Sequence, residues 1–183
     1  IDAVIFTHHH NDHISGGGPL LRKLRIPYWC SQSAFTGALK KEPGLAAPNR
    51  LRGGETVEIG PFTVLPAVVP HDAEETFALK FSVEGASFAY ASDLGYPARP
   101  VLDHLAGVTL LAWEFNHDAE LLANFAGYPE PIKARIAGHS GHLSNDQAEA
   151  GRREVLHPDP QHRWLVHLLA NTDRKSGGAG RRG

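Results

Sequence analysis

The hydrophobic positions in the first third of the chain form short apolar runs separated by helix-like spacing. Residues 3–6 are an apolar run typical of a buried strand, and Leu20, Leu21 and Leu24 are spaced as on one face of a helix. Similar patterns predict a strand at 28–30, a helix at 33–41 and a Pro- and Gly-rich connection at 44–54. The chain therefore begins as alternating strands and helices.

From residue 56 the pattern changes to paired strands. Gly60-Pro61 and Glu84-Gly85 are turn signals between runs that are rich in β-branched and aromatic residues. The predicted strands of this meander are 57–59, 62–69, 77–83 and 87–91. The second half alternates again, with predicted helices at 101–105, 119–125 and 131–136 and predicted strands at 108–113 and 163–168. Ser144-Asn145-Asp146 followed by Gln147 is typical of a helix start, and this helix is expected to run to about Leu156.

The composition limits the class of protein. A chain of 183 residues with 42% hydrophobic residues is long enough for one domain with a core and too short for two of ordinary size. We therefore predict one domain at 1–175. Residues 176–183 contain only Gly, Arg, Ser and Ala, and we expect them to form a disordered tail.

The charge and the cysteine count bear on partners and location. A net charge of −2 argues against a broad basic surface, so any contact with nucleic acid has to be focal. The single Cys30 cannot form an internal disulfide, which favours a reducing compartment and a cytoplasmic location. Neither an apolar stretch of roughly 18 residues nor an export leader is evident, so we expect no membrane partner.

The candidate chemistry begins with the run Thr7-His8-His9-His10-Asn11-Asp12-His13, on a turn that leaves the first strand. Imidazoles and carboxylates are ligands for borderline divalent metals. Alternate positions predict two ligand pairs, His8 with His10 and Asp12 with His13. A remnant of a purification tag or a solvated histidine loop is the alternative, but a tag would be longer, terminal and free of Asp-His.

Three distant residues are further ligand candidates because each stands at the end of a predicted strand. They are His71, Asp93 and His167. If the strand ends meet at one rim of a two-sheet core, ligands from several strands converge there. Four residues on one loop cannot fill the coordination spheres of two metal ions. This strengthens the prediction that His71, Asp93 and His167 are also ligands.

Residues 7–13 match the T-H-x-H-x-D-H motif of metallo-β-lactamase-fold hydrolases. Segments 70–73, 91–96, 116–118 and 141–145 resemble the small bacterial nuclease family called YycJ or WalJ, and their order is also similar to the tRNA-processing endonuclease branch. The resemblance implies an α/β fold, the four-layer αβ/βα sandwich of the metallo-β-lactamase superfamily. The chain opens at Ile1 inside a strand pattern, and we expect the N-terminal strands of that fold to be missing.

The resemblance also implies a ligand set. It assigns His8, His10 and His71 to one metal, and Asp12, His13 and His167 to the other. Asp93 is then the bridging carboxylate, which favours phosphoesters or thioesters as substrates. The expected cofactors are two divalent ions, zinc or manganese, with iron as a further option.

The expected nucleophile is a hydroxide held between two metals about 3.5 to 4 Å apart. His142, just before a helix N-terminus, is the candidate general acid, and by resemblance Glu114 orients it. The expected catalytic set is His142, Asp12 and Glu114. The alternatives are a helix-capping loop at 141–145 and a buried structural acid at 114. Expected substrate contacts are Ser144, Asn145, Asn116 and His117.

The leading function is a metal-dependent phosphodiesterase, with the resemblance implying a DNA exonuclease and DNA rather than RNA as the partner. One alternative is a thioesterase of the glyoxalase II type, which shares the His-x-His-x-Asp-His loop and the bridging aspartate. Another is an inactive metal-binding fragment. Turnover of a phosphodiester against a thioester separates the first two hypotheses, and metal content addresses the third.

Overall fold

The fold is taken from a computed structural model, which describes residues 1–156 and 162–167, with only the backbone described for 162–165. The tail predicted at 176–183 lies outside the described residues. The strands are β1 Val4–Ile5, β2 Tyr28–Cys30, β3 Asn49–Arg50, β4 Val57–Ile59, β5 Phe62–Val68, β6 Phe77–Val83, β7 Ala86–Ala91, β8 Leu110–Glu114 and β9 His162–Val166. The helices are α1 Asn11–Ile14, α2 Gly17–Leu24, α3 Gln32–Lys41, α4 Arg99–Leu105, α5 Ala119–Asn124, α6 Glu130–Ala137 and α7 Asn145–Val155.

The strands form two sheets. The smaller sheet is parallel, in the order β1-β2-β3. In the larger sheet β4 to β7 form an antiparallel meander, and β8 and β9 continue it in parallel. The predicted meander is therefore confirmed. The left-handed backbone of Gly60, Glu84 and Gly85 lies at the two tight turns that the sequence marks.

Three hydrophobic clusters separate four layers. One packs α2 and α3 on the smaller sheet through Phe6, Tyr28 and Ala34. A second joins the two sheets, where Ile5 of β1 packs against the cluster that contains Phe77 and Leu79. The third packs α4 and α7 on the outer face of the larger sheet. The order helix, sheet, sheet, helix is the predicted αβ/βα sandwich.

Two short elements differ from the sequence pattern. The sequence predicts only a connection at 44–54, whereas β3 pairs with β2 there, Cys30 opposite Arg50. Both residues of β3 are exposed and polar, so they lack the apolar signal of a strand. Residues 11–14 are expected to form a loop, but α1 makes one helical turn, in which only Ile14 is buried.

The predicted start of α7 is confirmed. Ser144 accepts a hydrogen bond from the Gln147 backbone at 3.3 Å, and the Gln147 side chain accepts one from the Ser144 backbone at 2.9 Å. This capping box satisfies N–H groups that a helix start leaves unpaired. Within the described part of the chain, no helix combines the length and the apolar character that crossing a bilayer requires.

Candidate metal centre

The candidate residues meet at one edge of the sandwich. β5, β7, β8 and β9 run in the same direction, so their carboxyl ends lie at the same edge of the larger sheet. His71 follows β5, Asp93 follows β7, and His167 follows β9 directly. Asp93 and His167 have left-handed backbones, with φ of 59° in each. A residue other than glycine keeps this strained backbone conformation only where the surrounding structure holds it in place.

Three histidines form an inner cluster of His8, His10 and His71, each with a ring nitrogen within 4.8 Å of the others. His8 is completely buried, and its Nε2 atom has no hydrogen-bond partner among the described residues. Burial lowers the pKa of His8 to about 3 and also lowers the pKa of His10 and His71. Neutral imidazoles present lone pairs, so this cluster fits a divalent cation.

A second group forms an outer cluster of Asp12, His13 and His167, again with ligand atoms within 4.8 Å of one another. Asp12 lies on α1, and 68% of its side chain is exposed. His13 Nε2 lies 3.4 Å from Asp12 Oδ2, and His167 Nε2 lies 3.8 Å from the same oxygen. Among the described residues, Asp12 shares no such group with the inner histidines, whereas the His13 ring also lies beside His8, with ring centroids 4.1 Å apart.

Asp93 lies between the two clusters, with its side chain only 2% exposed. Its Oδ2 is 3.2 Å from His13 Nε2, and its Oδ1 is 3.6 Å from His71 Nε2 and 3.5 Å from His167 Nε2. Burial alone raises the pKa of Asp93, but His13 and His167 outweigh it and hold that pKa well below its ordinary value. An ionised carboxylate therefore faces both clusters, which suits a ligand shared by two cations.

Glu114 lies at the end of β8 and is completely buried. One of its carboxylate oxygens accepts hydrogen bonds from two histidines. Its Oε1 accepts from His142 Nδ1 at 2.8 Å and from His167 Nδ1 at 2.9 Å. Its Oε2 accepts from the backbone N–H groups of Leu94, at 2.8 Å, and Leu143, at 3.3 Å. Burial alone raises the pKa of Glu114, but these hydrogen bonds lower it by a larger amount. The pKa therefore lies below its ordinary value, and the carboxylate stays ionised.

The link between Glu114 and His167 was not expected from the sequence. With Nδ1 bound to a carboxylate, the Nε2 atom of His167 faces the outer cluster. Burial alone lowers the pKa of His167, yet Glu114 and Asp93 raise it to about 9. No local signal marks this contact, because the two residues are 53 positions apart.

The loop that carries His142 packs closely on α6. A Cβ at Gly141 would collide with the carbonyl oxygens of Arg135 and Ile136, so only glycine fits. The Gly141 carbonyl also lies 3.1 Å from His71 Nδ1, which fixes the ring that belongs to the inner cluster. The loop thus holds His142 beside the two clusters.

The four expected substrate contacts are largely used inside the fold. Asn116 is buried and donates from Nδ2 to the His167 carbonyl at 3.0 Å. His117 is buried, and its carbonyl accepts the Asn145 N–H at 2.8 Å. Ser144 caps α7. Pairing of the 117 and 144 backbones thus draws His117 and Asn145 inward, and their role as substrate contacts stays a prediction.

A cavity of about 340 Å³ opens over the centre, and His10, Asp93, His142 and His167 border it. Arg135, which the sequence did not single out, borders it as well. A larger cavity of about 960 Å³ between the sheets is mainly apolar and reaches only the outer cluster. The smaller cavity is the candidate reaction site. His142 and Asp93 border it, and the residues of both clusters border it or lie directly behind it.

The chain resembles known proteins over most of its length. The family model described as "Beta-lactamase superfamily domain" matches residues 1–167. Exodeoxyribonuclease YycJ of Bacillus anthracis is 27% identical over 177 residues, covering 96% of this chain and 67% of that protein. Exodeoxyribonuclease WalJ of Streptococcus pneumoniae is 32% identical over 184 residues, covering 96% and 66%. This chain thus spans about two thirds of the length of these relatives.

Among solved structures, the metallo-β-lactamase fold protein YhfI of Bacillus subtilis superposes with a TM-score of 0.72. It is 20% identical, and the match covers 96% of this chain and 68% of YhfI. At that identity the similarity concerns the fold. It confirms the fold class expected from the motif at 7–13.

Proposed function

This chain belongs to the beta-lactamase superfamily domain family, and we propose that it is a two-metal phosphodiesterase that removes nucleotides from DNA ends. The observation that carries the proposal is Asp93, a buried carboxylate with oxygens 3.2 Å from His13 and 3.6 Å from His71. A carboxylate shared by two cations, with His142 beside it, suits two-metal cleavage of a phosphodiester. The exodeoxyribonuclease names of the relatives support the substrate class.

The inner and outer clusters are proposed to hold one divalent ion each, with Asp93 between them. Fit to a cation is supported by Nε2 of the buried His8, which has no hydrogen-bond partner in the described part of the chain, and by a donor set of imidazoles and carboxylates. Such nitrogen and oxygen donors without thiolate suit zinc, manganese or iron. When bound, two divalent ions polarise a phosphoryl oxygen and make water acidic enough to attack near neutral pH.

The protein's own groups supply positioning and a proton. Glu114 Oε1 fixes the His142 ring through Nδ1, at 2.8 Å, and balances the positive charge of the protonated ring. His142 then donates its proton from Nε2 to the leaving oxygen of the strand. Because the same Oε1 also holds His167, the proton donor and a proposed metal ligand share one anchor.

The charges of the site account for focal contact with an anionic substrate. Asp12 and Asp93 border the cavity and Glu114 lies behind it, and these carboxylates oppose the entry of a phosphate into the metal-free site. Two divalent ions outweigh the carboxylates of Asp12 and Asp93 and make the cavity attractive to one phosphate. A protein with a net charge of −2 therefore needs no broad basic surface.

The test is a nuclease assay on the full chain with added manganese or zinc. Single- and double-stranded DNA and RNA, labelled at the 5′ or the 3′ end, are incubated and the products sized. We expect mononucleotides to be released from DNA and activity to disappear on chelation. His142→Gln is expected to keep its metal and lose most turnover, whereas His139→Gln, on an exposed histidine outside both clusters, is the matched control.

The same preparations are offered S-lactoylglutathione, the substrate type of the thioesterase alternative. Thioester cleavage without phosphodiester cleavage would contradict the proposal. Preferential cleavage of RNA would correct the substrate while retaining the reaction class. The names of the relatives are the reason we rank DNA first.

A further inference from the structure

Arg135 borders the cavity of the metal centre and has no role in the chemistry described above. It lies in the last turn of α6, and 60% of its side chain is exposed. Among the described residues that line this cavity, Arg135 alone carries a permanent positive charge. Asp12 and Asp93 are the carboxylates that border the same space.

One hydrogen bond fixes the guanidinium at the cavity wall. Arg135 donates from Nε to Asp72 Oδ2 at 2.5 Å, and Asp72 Oδ1 lies 3.3 Å from His10 Nε2. The Asp72 carboxylate therefore connects Arg135 to His10 of the inner cluster. A guanidinium has five N–H donors, and the Nη groups make no hydrogen bond within the described part of the chain. The planar fork is left open for an oxyanion.

The neighbouring cation on α6 provides a contrast. Lys133 has a side chain only 12% exposed, and its ammonium donates to the Ala123 carbonyl at 2.8 Å and to Glu130 at 2.9 Å. Lys133 thus ties α6 to α5. Arg135 makes no comparable tie between helices, and an exposed ion pair such as that with Asp72 adds little stability. Its position is better explained by what enters the cavity.

We propose that Arg135 binds a phosphate of the nucleic-acid strand, next to the phosphate held at the metal centre, and that Asp72 is its positioning residue. This inference rests on the proposed function. The Nε group stays on Asp72, and both Nη groups donate to non-bridging oxygens of the incoming phosphate. The site thereby recognises the strand on two consecutive phosphates, one at the metals and one at Arg135.

The test uses the metal-loaded full chain and a short single-stranded oligonucleotide. For Arg135→Gln we expect KM to rise at least about tenfold with little change in kcat, as for loss of the hydrogen bonds from both Nη groups to a charged phosphate. The slope of log KM against log salt concentration should fall by about 0.7, because one phosphate contact to a single strand is lost. Arg99→Gln is the matched control: Arg99 is 69% exposed, pairs with Asp103 and does not border the cavity.

A second arm changes the substrate instead of the protein. An oligonucleotide with one neutral methylphosphonate next to the cleaved linkage should bind wild type about tenfold more weakly, yet bind Arg135→Gln as well as the parent strand does. Equal affinity of wild type for both oligonucleotides would overturn the proposal, even if Arg135→Gln failed to fold. An unchanged KM and salt slope in a folded Arg135→Gln would overturn it as well.

These two experiments distinguish failure of the Arg135 site from failure of the proposed function. If wild type cleaves no nucleic acid, the proposed function fails, and binding of a fluorescent oligonucleotide to the metal-loaded chain still decides Arg135. If wild type cleaves DNA but binds the methylphosphonate oligonucleotide as tightly as the parent strand, the proposed function stands and the Arg135 site fails. Tm values of both variants confirm that folded proteins are compared.

Discussion

The two halves of the candidate metal centre differ in depth and in charge. The inner cluster contains only imidazoles, and burial keeps them neutral, with the pKa of His8 lowered to about 3. The outer cluster contains Asp12, whose side chain is 68% exposed, and His167, whose pKa is raised to about 9. At neutral pH a cation finds lone pairs ready in the inner cluster but must displace a proton in the outer one.

The contrast has a cause in the fold. His8 follows β1 closely and its side chain is fully buried, so solvent does not reach it. His167 is pulled toward Glu114, whose carboxylate stabilises the protonated ring. Metal binding releases protons wherever ligands are protonated, so its affinity there depends on pH. We therefore expect the inner ion to bind first and the outer ion to exchange more readily.

The largest effect is expected where the clusters meet. Asp93→Ala removes the carboxylate that faces both, and its activity loss should exceed the roughly 100-fold cost typical of a residue behind the ligands. Metal analysis should find fewer than two ions per chain, as expected if Asp93 bridges them. Two retained ions with full activity would contradict the shared role. Asp103→Ala, on an exposed carboxylate of α4, is the control.

Single substitutions in each cluster test their order of affinity. His8→Ala should lose the inner ion, with zinc affinity falling by at least about tenfold. Asp12→Ala should release only the outer ion, because Asp12 takes no part in the inner cluster. Bound zinc is counted after dialysis, with His139→Ala as the unaffected reference. Loss of both ions from Asp12→Ala would show that the clusters are not separable in this way.

The stability of the metal-free chain should depend on pH in opposite senses for the two clusters. Burial, then the charge of His13, lowers the pKa of His8, so its contribution is present above pH 6.5 and is lost as pH falls toward 3. The pKa of His167 is raised to about 9, so its contribution is present below pH 6.5 and is lost as pH rises through 9.

Thermal melts of chelator-treated protein from pH 4 to pH 9.5 measure this dependence. The Tm should be highest between those limits. His8→Asn should flatten the acid side and His167→Asn the alkaline side. If neither variant changes its side of the profile, the charge difference between the clusters is not what controls stability.

The smallest effect is expected at a residue outside both clusters. Ser144→Ala removes the cap of α7 and should cost about 1 kcal/mol of unfolding free energy. Metal content and the KM for DNA should stay at wild-type values, since the Ser144 side chain is used in the capping box. Denaturant unfolding and steady-state kinetics check both. A several-fold rise in KM would instead support the prediction from the sequence that Ser144 is a substrate contact.

Local patterns were sufficient for much of the molecule. The meander follows from alternating β-branched residues and two turn signals, and the start of α7 follows from Ser144 and Gln147 three positions apart. The run from His8 to His13 indicates metal chemistry because its donor types stand together in the chain. Each of these signals lies within a few residues, which is the range over which sequence patterns act directly.

Other features depend on contacts between distant parts of the chain. The Glu114 carboxylate joins His142 and His167 only because β8 and β9 pair and the loop at 141–145 folds over them. Arg135 contacts Asp72, which is 63 positions away in the chain, and no pattern in the sequence of α6 predicts this contact. The amino-acid sequence alone therefore determined which donors are present and the class of fold. Only the tertiary structure decided which of them are buried, neutral or charged, because burial and long-range pairing set those properties.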